Sequence, residues 1–508
     1  MKAQTNIEKL HIIDNECRLL EKTVATLQWD QETYLPEKGV EERAEQLALL
    51  EGIAHQRLVG DETGRLLKEL GSVAENPRGS EELPEIERDF LRVMHRRYNR
   101  AVLLPVDFVS ASAKAEGLSQ AAWAVARLNN NFAAFLPHLR TMIDFAQKKA
   151  AYWGFGSAGS LYDGLLDIYE PGMGAAEIDL LFSVLRDRLV PLLHKIKNCP
   201  APDVSFLKQE FPVEAQAAFN HKLMDYMGFD RQRGRLDTSA HPFTTSLGFD
   251  DIRITTRYFP NNLLSSVFSL IHEAGHALYE MGFPPELRST CLADGASMAL
   301  HESQSRFWEN VIGRSRPFWE GLYPLLQNFF PTQLGRVKAD AFYRALNEVK
   351  PSLIRVDADE LSYSLHIIIR FEIEKLLISG ELDPEKLPEL WREKTTEYLG
   401  LASETDADGA LQDIHWSMGS FGYFPSYALG NLYGLQITQK LQADIPELDD
   451  LVAQGKFDRL YAWLKDTIYH WGCRLPPGEL LQKITGEKLQ AQSFIKYIED
   501  KYEGLYGI

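Results

Sequence analysis

Apolar residues recur at every third or fourth position along most of this chain, and this spacing restricts it to a mainly helical fold. The repeat is clear in VATLQWDQETYL (24–35), ERDFLRVMHRRYNRAVLL (87–104) and AEIDLLFSVLRDRLVPLLHKI (176–196). One face of an α-helix has this period, because the helix turns through 100° per residue. Breaks rich in Pro and Gly, such as 75–84 and 474–479, are too short to be flexible linkers between domains. An all-α class is therefore predicted.

Charge and cysteine content narrow the possible partners and location. The 508 residues carry a formal net charge of −18, which argues against nucleic acid or an anionic membrane as partner, because both attract basic surfaces. Four cysteines are scattered without a CxxC pair, which fits a reducing compartment. No stretch approaches 18 apolar residues, and the N-terminus lacks the apolar core of a signal peptide. We therefore expect a cytoplasmic protein that binds neither nucleic acid nor membranes.

Residues 241–259, HPFTTSLGFDDIRITTRYF, interrupt the helical pattern. Ile252 and Ile254 alternate with Arg253 and Thr255, which is the period of a β-strand. Residues 247–251 supply a turn, so a short β-hairpin is predicted just before the next helix. Such a hairpin can line a groove, where its free edge pairs with an extended peptide, or it can simply cap a helix bundle. The residues alone leave both alternatives open.

The segment SLIHEAGHALYE (269–280) predicts a metal site. His272 and His276 stand four residues apart in an apolar helical setting, so their imidazoles point the same way and can hold one zinc ion. Glu273 projects to the side, where its carboxylate can take a proton from a water on the metal. This arrangement predicts hydrolysis with Glu273 as the catalytic base. The alternative is a pair of core histidines with satisfied hydrogen bonds.

A catalytic zinc needs a third protein ligand. A metzincin would have Gly and His where this chain has Tyr279 and Gly282, so that class is excluded. Glu280 lies on the same helix, two turns beyond His272, and about 11 Å of axial rise prevents the two from converging on one ion.

Glu302 is the preferred third ligand. It lies on a second predicted helix, at about 294–313, which follows the HExxH helix at about 262–281. The intervening chain is long enough to reverse direction and bring the carboxylate back to the metal. His301 competes for this role, but its side chain should point about 100° away from that of Glu302.

Several further blocks resemble the M32 family of metallocarboxypeptidases, the thermostable carboxypeptidase type. HEAGH is followed by HESQ, and the other family blocks stand in the expected order: LQWDQETYLP (27–36), HPF (241–243), DIRIT (251–255), IRVDAD (354–359) and GALQDIHW (409–416). Ordered blocks from near the N-terminus past residue 430 are far more specific than one HExxH.

The resemblance implies a fold, a reaction and partners. The fold would be one peptidase domain over residues 1–508, mainly helical and two-lobed with a deep groove, similar to neurolysin and angiotensin-converting enzyme. The reaction would be zinc-dependent removal of single residues from the free C-terminus of peptides, with broad specificity. The resemblance also implies a homodimer, and zinc that cobalt can replace.

A carboxypeptidase must hold the free carboxylate of its substrate, and a guanidinium does this through paired charged hydrogen bonds. Arg355 is the first candidate, with Asp357 and Asp359 nearby to orient it. Arg253, on the predicted hairpin, is the second. Without the motif context, either arginine would be read as part of a structural ion pair.

Other residues are needed to stabilise the oxyanion that forms during hydrolysis. The candidates are two histidines and two tyrosines: His241, His415, Tyr423 and Tyr427. The tyrosines lie in GSFGYFPSYALGNLYG (419–434), which predicts either a mobile loop lining the pocket or a tightly packed corner. Asp413 is a weaker candidate for orienting a histidine ligand from behind.

Two alternative functions remain from the sequence. An endopeptidase or oligopeptidase would share the zinc chemistry and differ only in lacking a carboxylate clamp at a closed groove end. A non-enzymatic helical binding protein with a vestigial site is disfavoured, because all four metal-site residues are present.

Overall fold

The computed structural model describes residues 2–156 and 159–508, and most of them are helical. The first helices are α1 (Lys2–Thr33), α2 (Val40–Val59), α3 (Asp61–Glu69), α4 (Glu85–Val102), α5 (Val106–Leu128), α6 (Phe132–Tyr152), α7 (Leu161–Tyr169), α8 (Ala175–Ile196) and α9 (Val213–Tyr226). The central ones are α10 (Leu263–Met281), α11 (Met298–Arg306), α12 (Arg316–Phe329), α13 (Pro331–Leu334), α14 (Ala339–Leu346) and α15 (Glu360–Ser379). The last are α16 (Leu387–Leu399), α17 (Pro425–Asp444), α18 (Leu448–Ala453), α19 (Asp458–Thr467), α20 (Pro477–Thr485) and α21 (Gln492–Tyr506).

A small sheet packs against α10, as the break in the helical pattern predicts. Strands β1 (Gly234–Thr238), β2 (Thr244–Gly248) and β3 (Asp251–Thr256) lie in the order β1-β3-β2. The predicted hairpin is β2 and β3, which pair antiparallel, whereas β1 pairs parallel to β3 and was not predicted. The mainly helical class with a small sheet beside the HExxH helix is confirmed.

Helices α10 and α11 cross closely, and a glycine permits the approach. A Cβ at Gly275 would lie 2.8 Å from the backbone oxygen of Gln304 and from Cα of Ser305, so no larger residue fits between the helices. Gly275 therefore makes room for the neighbouring helix. Helix α11 begins at Met298, later than the predicted residue 294, because Ser297 caps it by accepting from the Leu300 amide at 3.0 Å.

Helix α11 continues into one π-helical stretch, Phe307–Ile312. The hydrogen bond from the Gly313 amide to the Trp308 carbonyl, at 2.8 Å, spans the five residues of a π turn. Tyr497 of α21 donates to the Asn310 carbonyl at 3.1 Å. This stretch carries Glu309, whose carboxylate contacts His272.

Helix α17 packs along α11 on the other side, and α15 packs against α17. Nearly every residue of α15 is buried, including the polar Arg370 and Glu374. Gly430 of α17 packs against Glu302, where a Cβ would lie 2.7 Å from Cγ of that glutamate. No helix of the described ranges is long and apolar enough to span a membrane.

Candidate active site

Three side chains from α10 and α11 meet at one point. A nitrogen of His272, a nitrogen of His276 and a carboxylate oxygen of Glu302 all lie within 4.8 Å of one another. The Nε2 atoms of the two histidines are 3.7 and 3.4 Å from Oε2 of Glu302. Ligands bound tetrahedrally to zinc at 2.0–2.1 Å are about 3.3 Å apart. The spacing thus suits one tetrahedral metal ion with a fourth position open.

Both histidines are oriented by partners on their far nitrogens. Nδ1 of His272 is 2.9 Å from Oε2 of Glu309, and Nδ1 of His276 is 2.6 Å from Nδ1 of His301. His301 in turn places Nε2 3.0 Å from Oε1 of Glu280. With the His301 proton donated to Glu280, the other His301 nitrogen accepts from His276. In the form that binds a metal, both histidines would carry their proton on Nδ1 and present Nε2 to the ion.

The carboxylates around the site govern the charge of its histidines. Burial alone would lower the pKa of His272, but Glu302 and Glu309 raise it to about 9. His276 has a pKa lowered to about 4, chiefly by burial. Burial would raise the pKa of Glu302, yet the adjacent Arg306 guanidinium holds it well below its usual range. A carboxylate and a neutral imidazole, the forms a metal binds, are thus already present at Glu302 and His276.

Glu273 lies beside the ligand pair rather than with it. Its side chain is buried, and Oε2 accepts a hydrogen bond from Oγ1 of Thr244 at 2.6 Å. The same hydroxyl lies 2.9 Å from the Glu273 carbonyl. Strand β2 therefore fixes the direction of this carboxylate. Burial raises its pKa above the ordinary value.

A second cluster centres on Asp413, which lies between two buried arginines. Its Oδ1 accepts from Nε and Nη2 of Arg355 at 2.9 and 2.8 Å, and its Oδ2 accepts from Nε of Arg370 at 2.7 Å. Nη1 of Arg355 is 3.3 Å from the hydroxyl of Tyr363. Two guanidinium groups share one carboxylate, so the cluster keeps an excess positive charge beside Arg355.

This basic cluster is joined to the metal-site residues. Arg306 donates to Oε1 of Glu302 at 2.7 Å and stacks its guanidinium 4.3 Å over the ring of Tyr363. Tyr363 then contacts Arg355. Only Arg306 and Tyr363 therefore separate the metal-site glutamate from the candidate clamp.

His415, Tyr423 and Tyr427 lie together at the same cluster. Nε2 of His415 is 3.4 Å from the Tyr427 hydroxyl, and the rings of Tyr423 and Tyr427 are 5.2 Å apart. Arg355 lies 5.1 Å over the Tyr427 ring. Burial lowers the pKa of His415 to about 4, so its imidazole is neutral. Tyr427 belongs to α17, so the stretch is a packed corner entering a helix.

Arg253 and His241 have different surroundings. Arg253 makes two hydrogen bonds of 2.8 Å to Asp251 and lies 4.3 Å over the ring of Trp29. His241 is exposed in the connection between β1 and β2. Neither residue contacts the Arg355 cluster.

Two orienting roles differ from the sequence prediction. Arg355 is held by Asp413 rather than by Asp357 or Asp359, because the Asp359 side chain caps α15 by accepting from the Ser362 amide at 2.9 Å. Asp413 is therefore committed to arginines, and not to a histidine ligand.

Glu309 and His301 are the orienting partners of the two histidines. Glu309 stands seven residues after Glu302, a helical spacing that could have suggested a shared face. The sequence predicts His301 only as a competitor of Glu302 for the metal.

Comparison with known proteins shows the family. The profile described as Carboxypeptidase Taq (M32) metallopeptidase matches residues 9–502. Thermostable carboxypeptidase 1 of Thermus thermophilus is 40% identical over 515 aligned residues, covering 100% of both chains. Thermostable carboxypeptidase 1 of Pyrococcus furiosus is 38% identical, covering 94% of each.

Solved structures of carboxypeptidases also match this chain over nearly its whole length. The crystal structure of the M32 carboxypeptidase from Deinococcus radiodurans R1 matches with a TM-score of 0.95 and 38% identity, covering 99% of this chain and 100% of that one. Trypanosoma cruzi metallocarboxypeptidase 1 matches with a TM-score of 0.92 and 34% identity, covering 98% of this chain and 99% of that one.

The chain belongs to the M32 family of metallopeptidases. It is a metal-dependent carboxypeptidase, a hydrolase whose substrates are peptides.

Proposed function

We propose that this protein is a zinc carboxypeptidase that removes one residue at a time, with broad specificity, from free C-termini. The observation that carries the proposal is the convergence of His272, His276 and Glu302 within 4.8 Å. Two imidazoles and one carboxylate form a donor set that zinc favours in hydrolytic sites, and cobalt accepts the same set. When bound, the metal makes its water more acidic and polarises the substrate carbonyl.

Glu273 is the proposed general base. Its carboxylate is buried beside the ligand face, and Thr244 holds one of its oxygens. A base needs a fixed direction and a free acceptor oxygen. Oε1 of Glu273 is left to accept the proton of the attacking water and later deliver it to the leaving amine.

Arg355 is the proposed clamp for the substrate carboxylate. Asp413 accepts from Nε and Nη2 of Arg355, so the guanidinium is oriented while its other N–H groups can still bind a substrate. The excess positive charge of Arg355 and Arg370 over Asp413 favours an incoming anion. Arg253 remains the second candidate, but it binds Asp251 through Nε and Nη2 and lies on β3, away from the Arg355 cluster.

His415, Tyr423 and Tyr427 are proposed to contact the substrate carbonyl and stabilise the oxyanion. Their rings lie together beside the clamp, and burial raises the pKa of both tyrosines, to which the charge of Glu302 adds. The tyrosines therefore stay protonated as hydrogen-bond donors. His241, exposed next to β2, is proposed to contact more distant parts of the peptide.

We propose one peptidase domain over residues 1–508, with two lobes around a deep groove as in neurolysin and angiotensin-converting enzyme. A homodimer in the cytoplasm, with no nucleic-acid or membrane partner, completes the proposal. The four cysteines are all unpaired, as a reducing compartment requires, and sedimentation velocity tests the dimer.

Mass spectrometry of a mixed peptide pool tests the reaction. The expected products are ladders that shorten by one residue from the C-terminus, formed only by metal-loaded protein. Internal fragments without ladders would favour the endopeptidase alternative. Intact peptides after incubation with zinc-loaded protein would favour the vestigial-site alternative.

A further inference from the structure

Glu374 is a buried carboxylate that the proposed chemistry does not use. It lies on α15, one turn beyond Arg370, with no exposed surface. Three donors converge on it: the Trp416 indole on Oε1 at 2.8 Å, and the Tyr162 hydroxyl and Gly422 amide on Oε2 at 2.7 and 3.0 Å. A carboxylate buried without an ion pair is costly, and burial raises the pKa of Glu374 to about 7.

Two of these donors flank the residues that face the substrate site. Trp416 directly follows His415, and Gly422 directly precedes Tyr423. The carboxylate therefore ties both ends of the segment 415–423 to one helix. At Gly422, φ is +84° and a Cβ would lie 2.7 Å from the carbonyl carbon of Leu165 on α7. The close contact with α7 and the positive φ leave the Gly422 backbone little freedom to shift while its amide keeps the Glu374 acceptor.

Only a carboxylate can accept from both ends at once. The Trp416 donor lies on one oxygen and the Gly422 donor on the other. A glutamine has the same shape, but one of its two terminal groups is a donor. One end of the segment would then face an amide hydrogen, so Gln at 374 must release either Trp416 or Gly422.

We propose that Glu374 is a positioning residue that sets the direction of His415 and Tyr423 by fixing both ends of the segment that carries them. The inference rests on the proposed substrate contacts of those two residues. Arg370 acts one turn earlier on the same helix, where it holds Gln412 and Asp413. The buried polar side chains of α15 thus shape the whole segment 412–423.

The test compares Glu374→Gln with Glu372→Gln. Glu372 lies on the same helix but bonds Lys394, Arg186 and Tyr398, away from the segment. We expect Glu374→Gln to lower kcat/KM by about 10- to 100-fold, since small misplacements cost this much, while bound metal stays at the wild-type level. Glu372→Gln should stay within about twofold of wild type, because its contacts are structural only.

A double-mutant cycle separates positioning from general damage. In a His415→Ala background, Glu374→Gln should cost much less than it does alone, because the group it positions is gone. A crystal structure of Glu374→Gln should show His415 and Tyr423 displaced. Unchanged kcat/KM, or a segment that stays in place, would overturn the proposal.

A second variant covers a failure to fold. Trp416→Phe removes one donor of the segment, and Tyr162→Phe removes the donor that lies outside it. Only Trp416→Phe should lower kcat/KM markedly, and equal activity of the two would overturn the proposal. If His415→Ala and Tyr423→Phe are both fully active, the substrate contacts proposed above are wrong, whereas the crystal structure still decides whether Glu374 fixes the segment.

Discussion

Glu273, the proposed base, stands one position from His272, a proposed metal ligand. It follows His272 directly, so it leaves α10 about 100° away from the two histidines, and Thr244 holds it there. We expect Glu273→Gln to retain the metal and to lose about 10²- to 10⁴-fold in kcat, the range for a general base. Metal analysis and steady-state kinetics on the same preparation measure both quantities. Loss of the metal, or near-normal turnover, would contradict the assignment.

Glu302 and His301 are neighbours with different expected roles. Glu302 points its Oε2 at both histidines, whereas His301 contacts the far nitrogen of His276. Glu302→Ala should therefore lose metal affinity sharply. His301→Ala should lower metal affinity by about 10- to 100-fold, as substitutions of residues that orient a ligand do. Competition with a chromophoric chelator measures the two constants, and equal affinity of Glu302→Ala and wild type would remove Glu302 from the ligand set.

Spacing along the chain could predict some of these residues but not others. His272, Glu273 and His276 share one helix, so the helical period alone relates them. Glu302 needed the further inference of a reversed second helix. His301 binding to His276, and Asp413 between two arginines, depend on side-chain directions across different elements. No local pattern encodes those directions.

The crossing of α10 and α11 gives a prediction at the scale of elements. Gly275→Ala places a methyl group 2.8 Å from the backbone of α11, and backbone cannot yield as a flexible side chain does. We expect a lower thermal midpoint and weaker metal binding, because α11 carries Glu302. Thermal unfolding followed by circular dichroism, with chelator competition, measures both.

Gly52, inside α2, is the matched control for that substitution. A Cβ there would meet nothing within 4 Å. Gly52→Ala should therefore be neutral or raise stability by up to about 1 kcal/mol, since Ala favours helix over Gly. An equal loss of stability in both variants would show that the helix crossing is not the cause.

At this scale the sequence predicted the helices and the hairpin but not every boundary. Alternation identified β3, and the turn identified its antiparallel partner β2. Strand β1, GRLDT, has no turn linking it to β3 and pairs parallel across intervening chain, so no local signal marks it. The π stretch at Phe307–Ile312, which packs against α10 and α17, is also not marked by the helical period of the sequence.

For the whole molecule, the candidate active site brings together distant parts of the chain. The proposed metal site comes from α10 and α11 and the proposed clamp from residues 355–427, and Arg306 and Tyr363 join them. Periodicity could not predict this meeting, because nothing in local sequence relates helices so far apart. Only the ordered family blocks implied that Arg355 and the HExxH helix serve one site.

The joined site predicts that activity depends on the substrate's terminal charge. C-terminal amidation removes the anion that Arg355 would hold. Losing such a contact should cost about 2–5 kcal/mol, or roughly 30- to several thousand-fold in kcat/KM. Paired peptides, free and amidated, measured with wild-type protein give this factor directly. Equal rates on both would favour the endopeptidase alternative.

Arg355→Ala completes the comparison. On the free peptide, kcat/KM of Arg355→Ala should fall by the same factor by which amidation lowers kcat/KM of the wild type. The residual kcat/KM of the variant should be nearly the same on free and amidated peptides. This pairing isolates the contact from general damage to the pocket, because damage alone would lower both rates and preserve their ratio. Arg253→Ala is the control, and it should discriminate as the wild type does. Full discrimination by Arg355→Ala, together with its loss in Arg253→Ala, would instead place the clamp on β3.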